Sequence, residues 1–323
     1  MWFKNLQIFR LNGAWDIQAE ELHQQLARIA FSDCASSEMQ SQGWISPRGN
    51  DLLVHSVNRQ FLISLATEKK LLPSSVINQV TKARAAELEE QQGFAPGRKA
   101  MKDLKERVTE ELLPRAFAVR RQTFVWIDPV NRWLVIDASS PSKADEVIKL
   151  LLKCCDKLPL EALRTKSSPQ AAMTGWLAGN EAPKGFTIDQ DTELKSANED
   201  KSTVRYVRHT LEPDDIQKHI AAGKLCTKLA LTWNDRISFV LTDNLTIKRI
   251  KPLDVMDEAK DKGVNEEERF DTDFALMTGE LARFLPRQLD SIAAQAHTPW
   301  KLWVSDDGSR DGTLALLDSY RQR

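Results

Sequence analysis

The sequence predicts an α+β protein made of two units of sheet plus helices, with a helical arm projecting from the first unit. Three observations support this fold class. β-prone runs occur in pairs around short turns, stretches with helical periodicity lie between them, and the 323 residues, 41% of them hydrophobic, suffice for two or three domains. No residue-level repeat indicates that one unit duplicates the other.

The first unit is expected to comprise residues 1–73 and 120–168, on both sides of the arm. An apolar run predicts a strand at 3–11, and residues 17–31 have helical spacing. Ser142–Asp145 resembles a capping box and predicts the start of another helix. Two hairpins are predicted, one at 52–57 with 60–66 and one at 123–127 with 132–137. The second has nearly continuous apolar strands, so it should lie centrally in a sheet, buried on both faces.

The arm, residues 74–119, is predicted to be a hairpin of two helices. Ser74 is expected to cap the first, which ends near Gln92, and Gly93–Gly97 supply the turn. The second helix has an apolar stripe only one residue wide per turn, formed by Met101, Leu104, Val108 and Leu112. Residues 98–121 include eight basic and four acidic side chains, a net charge of +4 in a chain of net charge −1. This combination favours a binding surface over core.

The second unit, residues 169–285, is expected to begin after a boundary near 166–170. Residues 158–201 mix Pro, Ser, Gly and acids around one helix-like piece near Met173–Leu177. The clearest β signal is a three-stranded meander at 225–233, 237–241 and 245–250. Its first strand is expected to alternate strictly, with Leu225, Thr227, Leu229, Leu231 and Trp233 on one face. Residues 286–323 form an atypical C-terminal extension.

Catalytic and metal-binding patterns are absent from the sequence. It contains no G-x-S-x-G elbow, Walker A loop, H-E-x-x-H motif or paired-cysteine spacing, and its five histidines are scattered. No catalytic residue, metal site or cofactor is therefore expected. Four cysteines are too few for a disulfide framework, and no run is long enough for a signal peptide or membrane span, which favours a soluble protein of a reducing cytoplasm.

The distribution of charge is more informative than its sum. Acids collect at 189–200 and 254–273, which leaves basic zones in the arm and around the meander. Lys and Arg spread along a surface suit a phosphate backbone, which they bind without reading sequence. Proteins that bind single strands place stacking aromatic side chains among their basic residues, but here the tryptophans lie mostly in apolar runs. Binding of double-stranded DNA is therefore favoured over binding of single strands. Two alternatives stay open: a solvated charged face, or an interaction protein whose arm binds an acidic partner.

Phe117 follows the basic second helix of the arm, where a large apolar side chain has no obvious partner within the chain. Either it folds back onto the first unit, or it anchors a contact between two subunits.

Several segments resemble the recombination-associated RdgC family, in the order found in that family and over roughly residues 1–285. These segments are MWFKNLQIFRL (1–11), Gly43-Trp44, LLPSSVI (71–77), LLPRAF (112–117), FVWID (124–128), GKLCTKLAL (223–231) and FALMTGEL (274–281). The resemblance implies a cytoplasmic, nucleoid-associated protein with a horseshoe-shaped subunit. Two subunits would form a ring-shaped homodimer around double-stranded DNA without sequence preference and would antagonise the RecA recombinase.

The resemblance also gives roles to the basic residues and to Phe117. Phe117 would lie near the tip-to-tip contact that closes the ring, and a basic inner wall with an acidic outer wall would reconcile DNA binding with a net charge of −1. Arg115, Arg208, Lys224 and Lys228 would line the hole. The full set of expected DNA contacts is Arg98, Lys99, Arg115, Arg205, Arg208, His209, Lys224, Lys228, Lys248 and Arg249.

The C-terminal extension departs from that pattern. Its sequence resembles about 40 residues of a family 2 glycosyltransferase, including the Asp-Asp-Gly-Ser turn that meets a nucleotide sugar. That activity would need Asp306 and Asp307, but the extension has no room for the first phosphate-side strand or the downstream acidic motif. It is therefore interpreted as a fused or read-through fragment.

Overall fold

A computed structural model describes residues 2–13, 15–165, 167–196, 201–253 and 265–293. Within these residues the chain forms two antiparallel sheets with helices between and around them, so the α+β class is confirmed. The acidic residues 254–264 and the extension from 294 onwards, with Asp306 and Asp307, lie outside the described part.

The first sheet contains both predicted hairpins. Its strand order is β2-β4-β5-β6-β1-β7, and β3 also pairs with β4. The strands are β1 (Gln7–Leu11), β2 (Gln40–Ile45), β3 (Val54–Val57), β4 (Gln60–Lys70), β5 (Ala118–Asp128), β6 (Trp133–Ile136) and β7 (Leu160–Ala162). The predicted strand at 3–11 is shorter than expected, because residues before Gln7 leave this sheet.

The β5–β6 hairpin is buried on both faces, as its apolar strands predicted. Val125 and Ile127 pack with helices α1 (Ala19–Ala27) and α4 (Pro141–Cys154), whereas Trp126 points into the core on the other side. The period of two along a strand produces this division. The sheet is thus the middle layer of the first unit.

Strand β2 was not predicted. It contains a glycine, Gly43, at a position where another segment of backbone passes close to the strand. Gly43 lies beside Ala30 and Phe31, and the amide of Phe31 donates to the carbonyl of Trp44 at 3.0 Å. A β-carbon at Gly43 would come closer than 3.0 Å to backbone atoms of both neighbours.

Gly43→Ala is expected to lower the free energy of unfolding by about 2 kcal/mol, because backbone atoms cannot move aside as a side chain can. Urea denaturation measures this. Gly279→Ala is the matched control: Gly279 lies in a helix with open space around its α-carbon, so the same change there should stabilise by a few tenths of a kcal/mol or more. Equal effects of the two substitutions would contradict the steric argument.

The arm is the predicted helical hairpin. Helix α2 (Ser74–Gln92) and helix α3 (Arg98–Leu112) pack along a narrow seam in which Ile77, Thr81, Leu104 and Val108 are buried. Most other side chains of the pair are exposed. Ser74 is the first helical residue and not the cap, since Pro73 occupies the capping position without a side-chain hydrogen bond. The capping-box prediction at Ser142–Asp145 is also wrong, because α4 already begins at Pro141.

The second sheet contains the predicted meander and two strands that precede it. Its order is β12-β11-β10-β8-β9. The strands are β8 (Phe186–Ser196), β9 (Thr203–Tyr206), β10 (Lys224–Trp233), β11 (Ile237–Thr242) and β12 (Ile247–Pro252). Helix α5 (Pro169–Gly179) contains the helical piece predicted near 173–177, so that prediction is confirmed. Strand β8 was not predicted. Helix α6 (Pro213–Ala221) follows β9.

Strict alternation along β10 is also wrong, because a β-bulge shifts its register between Cys226 and Lys228. Cys226 and Leu229 both enter the hydrophobic core, although their spacing of three would place them on opposite faces of a regular strand. The bulge therefore turns Thr227 and Lys228 to the outer face of the sheet, where they meet β8.

A shared core joins the two sheets. Helix α7 (Glu266–Ala293) contributes Phe274, Met277, Leu281 and Phe284 to a cluster with residues of both sheets. Leu6, just before β1, forms a bridge with Ile247 of β12. The bidentate pair of Arg236 with Glu280, at 2.8 and 3.0 Å, fixes α7 to the β10–β11 turn. Among the described helices, none is long and apolar enough to cross a membrane.

Candidate nucleic-acid interface

The outer face of β8 carries a row of acids at every second position: Asp189, Asp191 and Glu193. Each engages a neighbouring strand or loop. Thr232 of β10 donates its hydroxyl to Asp189 at 2.9 Å. The other two acids bind most of the basic residues that the sequence predicted for this unit.

Glu193 is the centre of the larger of these groups. Its side chain is only 2% exposed. Lys228 Nζ lies 2.9 Å from Oε2, Arg205 Nε lies 3.0 Å from the same oxygen, and Lys195 Nζ lies 3.3 Å from Oε1. The hydroxyl of Thr227 donates to Oε1 at 3.0 Å. One buried carboxylate thus holds three cations whose side chains remain 41 to 60% exposed.

These contacts keep Glu193 ionised. Burial by itself raises the pKa of its carboxyl group, but hydrogen bonds from Lys228, Arg205 and Thr227 outweigh this effect and lower the pKa to about 2. The cluster therefore consists of three positive charges and one negative charge, and the positive charges are the accessible ones.

Asp191, two residues earlier on the same face, organises a second pair. The backbone amide of Arg208 donates to Oδ1 at 2.8 Å, and Arg249 NH1 of β12 lies 3.4 Å from Oδ2. The backbone of Arg208 is left-handed, with φ of 50°. Its amide, and not its guanidinium, binds the carboxylate, and its side chain is exposed.

The structure thus brings together Arg205, Arg208, Lys228 and Arg249 of the predicted contacts. It also corrects the expected segregation of charge: acids at 191 and 193 lie among these bases and not on a separate surface. The sequence prediction missed Lys195 and Thr227. The alternation of Asp189, Asp191, Glu193 and Lys195 along β8 was the signal that could have found Lys195.

Three further predicted residues lie around this cluster. Lys224 begins β10, where it pairs with Ser196, and Lys248 lies on β12 beside Arg249. Nδ1 of His209 lies 2.7 Å from the carbonyl oxygen of Thr210, which accepts, and its ring lies near that of Tyr206. Among the described residues, neither Lys224 nor Lys248 takes part in an ion pair.

The remaining predicted cations belong to the arm. Arg98 and Lys99 begin α3 beside the turn, and Arg115 lies in a 3₁₀ turn, Leu113–Arg115, at the opposite end of α3. Spacing of four and seven residues places Lys102 and Lys105 on the same face of α3 as Arg98. Those two lysines were not among the predicted contacts, although this spacing could have identified them.

Phe117 lies at the root of the arm, where α3 meets the sheet, and not beside the turn at 93–97. Its side chain is 84% exposed. Its carbonyl accepts the amide of Leu71 at 2.7 Å, and the amide of Lys70 donates to the carbonyl of Met39 at 2.9 Å. The side chains of Met39 and Leu71 are exposed as well. Exposed apolar residues therefore flank the ends of three adjacent strands, β2, β4 and β5, on the side of the sheet from which the arm leaves.

The described residues contain no group of three or more His, Cys, Asp or Glu side chains that could hold a metal ion. Cys154, the last residue of α4, and Cys155, its C-cap, are both buried.

Comparison with known proteins assigns the family. The sequence profile described as "Putative exonuclease, RdgC" matches residues 1–294. The chain belongs to the RdgC family. Its similarity extends beyond the fragments recognised in the sequence, and it covers every element from β1 to the end of α7.

Curated RdgC relatives match at high identity. The Recombination-associated protein RdgC of Janthinobacterium sp. (strain Marseille) is 65% identical over 295 residues, 91% of this chain and 97% of that protein. The proteins of the same name from Herminiimonas arsenicoxydans and Cupriavidus necator are 63% and 60% identical, each over 91% of this chain and 99% of the relative. A second profile, Glycosyl transferase family 2, matches residues 278–323 only.

Proposed function

We propose that this RdgC-family protein binds double-stranded DNA without sequence preference. The observation that carries the proposal is the cluster on the outer face of the second sheet, where Arg205, Lys228 and Lys195 surround a buried carboxylate and Arg249 and Arg208 lie beside it. Its contacts are suited to phosphates because they come from side chains spread over neighbouring strands of a β-sheet. In this proposal the exposed cations of α3 supply a further basic surface on the arm.

The assembly that fits this activity is a ring-shaped homodimer of horseshoe-shaped subunits. In this proposal residues 1–73 and 120–168 form a centre, 74–119 a tip, 169–285 a base and 286–323 an extension. Leu71 and Phe117, which are paired through their backbones and both exposed, support a self-contact near the arm, since exposed apolar groups that lie together mark interaction sites. Basic residues of both base and arm would then face the enclosed duplex.

Restraint of RecA-mediated recombination, in the cytoplasm and at the nucleoid, follows from occupancy. A duplex enclosed by a ring is a poor track for a recombinase filament, so the antagonism needs no direct contact with RecA. The names of the relatives connect them with recombination. No catalytic step is part of the proposal.

Fluorescence anisotropy tests the proposal with two unrelated duplexes and one single strand over a series of salt concentrations. We expect equal duplex affinities, weaker single-strand binding and a slope of log K against log salt steeper than about −3, because several phosphates are neutralised at once. A strong preference for one duplex sequence, or no binding at low salt, would contradict it. In the second case an acidic protein partner becomes the better explanation of the basic surface.

The family description also names an exonuclease, so DNA degradation is a second candidate function that the same protein preparation can be tested for. End-labelled duplex is incubated with the protein and Mg²⁺ and resolved on a denaturing gel, with Mg²⁺ omitted in the control. Progressive shortening that depends on Mg²⁺ would establish the nuclease. Intact DNA under saturating binding would favour the non-enzymatic function. Incubation with nucleotide sugars tests the glycosyltransferase alternative in the same way.

A further inference from the structure

Glu193 is an acidic residue in the middle of a surface that, in the proposed function, binds DNA through its basic side chains. It is the most buried charged group of that surface, and among the described residues its side-chain carboxylate binds Lys228, Arg205, Lys195 and Thr227. A carboxylate beside DNA phosphates is unfavourable by simple charge counting, because like charges repel. Its location therefore requires a physical reason.

We propose that Glu193 is a positioning residue for phosphate binding: it holds Arg205, Lys228 and Lys195 in a fixed arrangement before DNA arrives. This inference rests on the proposed DNA binding. Long basic side chains lose rotamer freedom when they bind, and a partner that orders them in the free protein removes much of that cost. Glu193 orders three such side chains at once, whereas its own charge is shielded by burial.

The geometry leaves the cations able to bind a second anion. Arg205 is 60% exposed and Lys195 is 48% exposed, although both touch Glu193. A lysine ammonium has three donors and a guanidinium has five, so one carboxylate cannot satisfy them. The donors that remain open to solvent are free for phosphate oxygens.

The β-bulge in β10 is what makes this arrangement possible. It brings Thr227 and Lys228, neighbours in sequence, to the side of β8 that carries Glu193. In a regular strand these two residues would face opposite sides of the sheet. The hydroxyl of Thr227 also fixes the carboxylate, since it lies 3.0 Å from Oε1.

Glu193→Gln distinguishes positioning from charge counting by the sign of its effect. The substitution removes one negative charge per subunit, so charge alone predicts equal or tighter duplex binding. We expect instead binding about five to ten times weaker, because the freed cations must be ordered by DNA. Asp235→Asn, at the exposed β10–β11 turn, makes the same charge change as a control and should leave affinity equal or slightly tighter.

Two further measurements exclude a folding defect. Thermal melting must show that the Glu193→Gln protein is folded at the assay temperature. Thr227→Val removes only the hydroxyl that fixes the carboxylate, so it should weaken binding in the same direction by a smaller factor. It supplies the test by itself if Glu193→Gln does not fold.

A double-mutant cycle supplies a readout that a purely structural role would not change. In an Arg205→Met, Lys228→Met background, Glu193→Gln should cost much less affinity than in the unmodified protein, since two of its three target cations are gone and only Lys195 remains. Full additivity, or binding by Glu193→Gln as tight as that of the unmodified protein, would overturn the positioning role and leave DNA binding intact. Absence of duplex binding by the unmodified protein would overturn the proposed function itself.

Discussion

The double variant Arg208→Glu, Lys224→Glu is expected to bind duplex DNA at least about a hundredfold more weakly at moderate salt. Arg208 extends from a left-handed turn beside Asp191, and Lys224 begins β10 without an ion pair among the described residues. In a homodimer the substitutions reverse four charges around one duplex, so each lost phosphate contact is replaced by a repulsion. The slope of log K against log salt should become shallower as well, because fewer counterions are released.

The control for this experiment reverses two charges on another surface. Lys143 and Lys149 lie exposed on α4, which covers the face of the first sheet opposite to the shared core. Changing both to glutamate alters net charge equally, and we expect less than a threefold loss of affinity. Equal losses in the two double variants would mean that total charge governs binding and that the surface around Arg208 and Lys224 is not where DNA binds.

Local patterns predicted most of the elements because their signals are short-range. Both hairpins of the first sheet, the meander and the two helices of the arm occur close to the expected residues. Apolar strands in the first sheet predicted burial on both faces, and the narrow stripe of α3 predicted a seam against one neighbour. These are properties of a strand or a helix by itself.

What could not be predicted depends on partners distant in sequence. The bulge in β10 exists only relative to β8, which lies more than thirty residues earlier in the chain. Strand β8 itself is mostly polar, and Glu193, the partner of Lys228 and Arg205, is one of the charged residues that hid its alternation. Strand β2 requires glycine at position 43 because the backbone of Phe31 lies too close for a β-carbon, and this contact is visible only in the folded structure.

The site shows the same division. Sequence predicted which segments are basic, and four of the predicted residues converge on β8. It could not predict that Asp191 and Glu193 lie among them, because charge counted along the chain does not show which faces of neighbouring strands meet.

The self-contact gives the other large expected effect, since Phe117→Ala should weaken homodimerisation at least about thirtyfold. Buried aromatic anchors in interfaces typically contribute 2 kcal/mol or more, and 1.4 kcal/mol corresponds to a factor of ten. In the subunit Phe117 is 84% exposed and lies beside Leu71, so its loss leaves the fold intact. Sedimentation velocity over a concentration series measures the shift towards monomer.

Phe94 is the matched control because it is the other strongly exposed phenylalanine of the arm, 65% exposed and located at the turn between α2 and α3. The two substitutions therefore compare the two ends of the hairpin. Loss of dimer in Phe117→Ala alone places the contact at the root, beside the sheet, whereas loss in Phe94→Ala alone would place it at the turn and refute the role of Phe117. Since a ring retains DNA by closure, Phe117→Ala should also speed dissociation from circular duplex more than from a short linear one, where sliding off an end is already open.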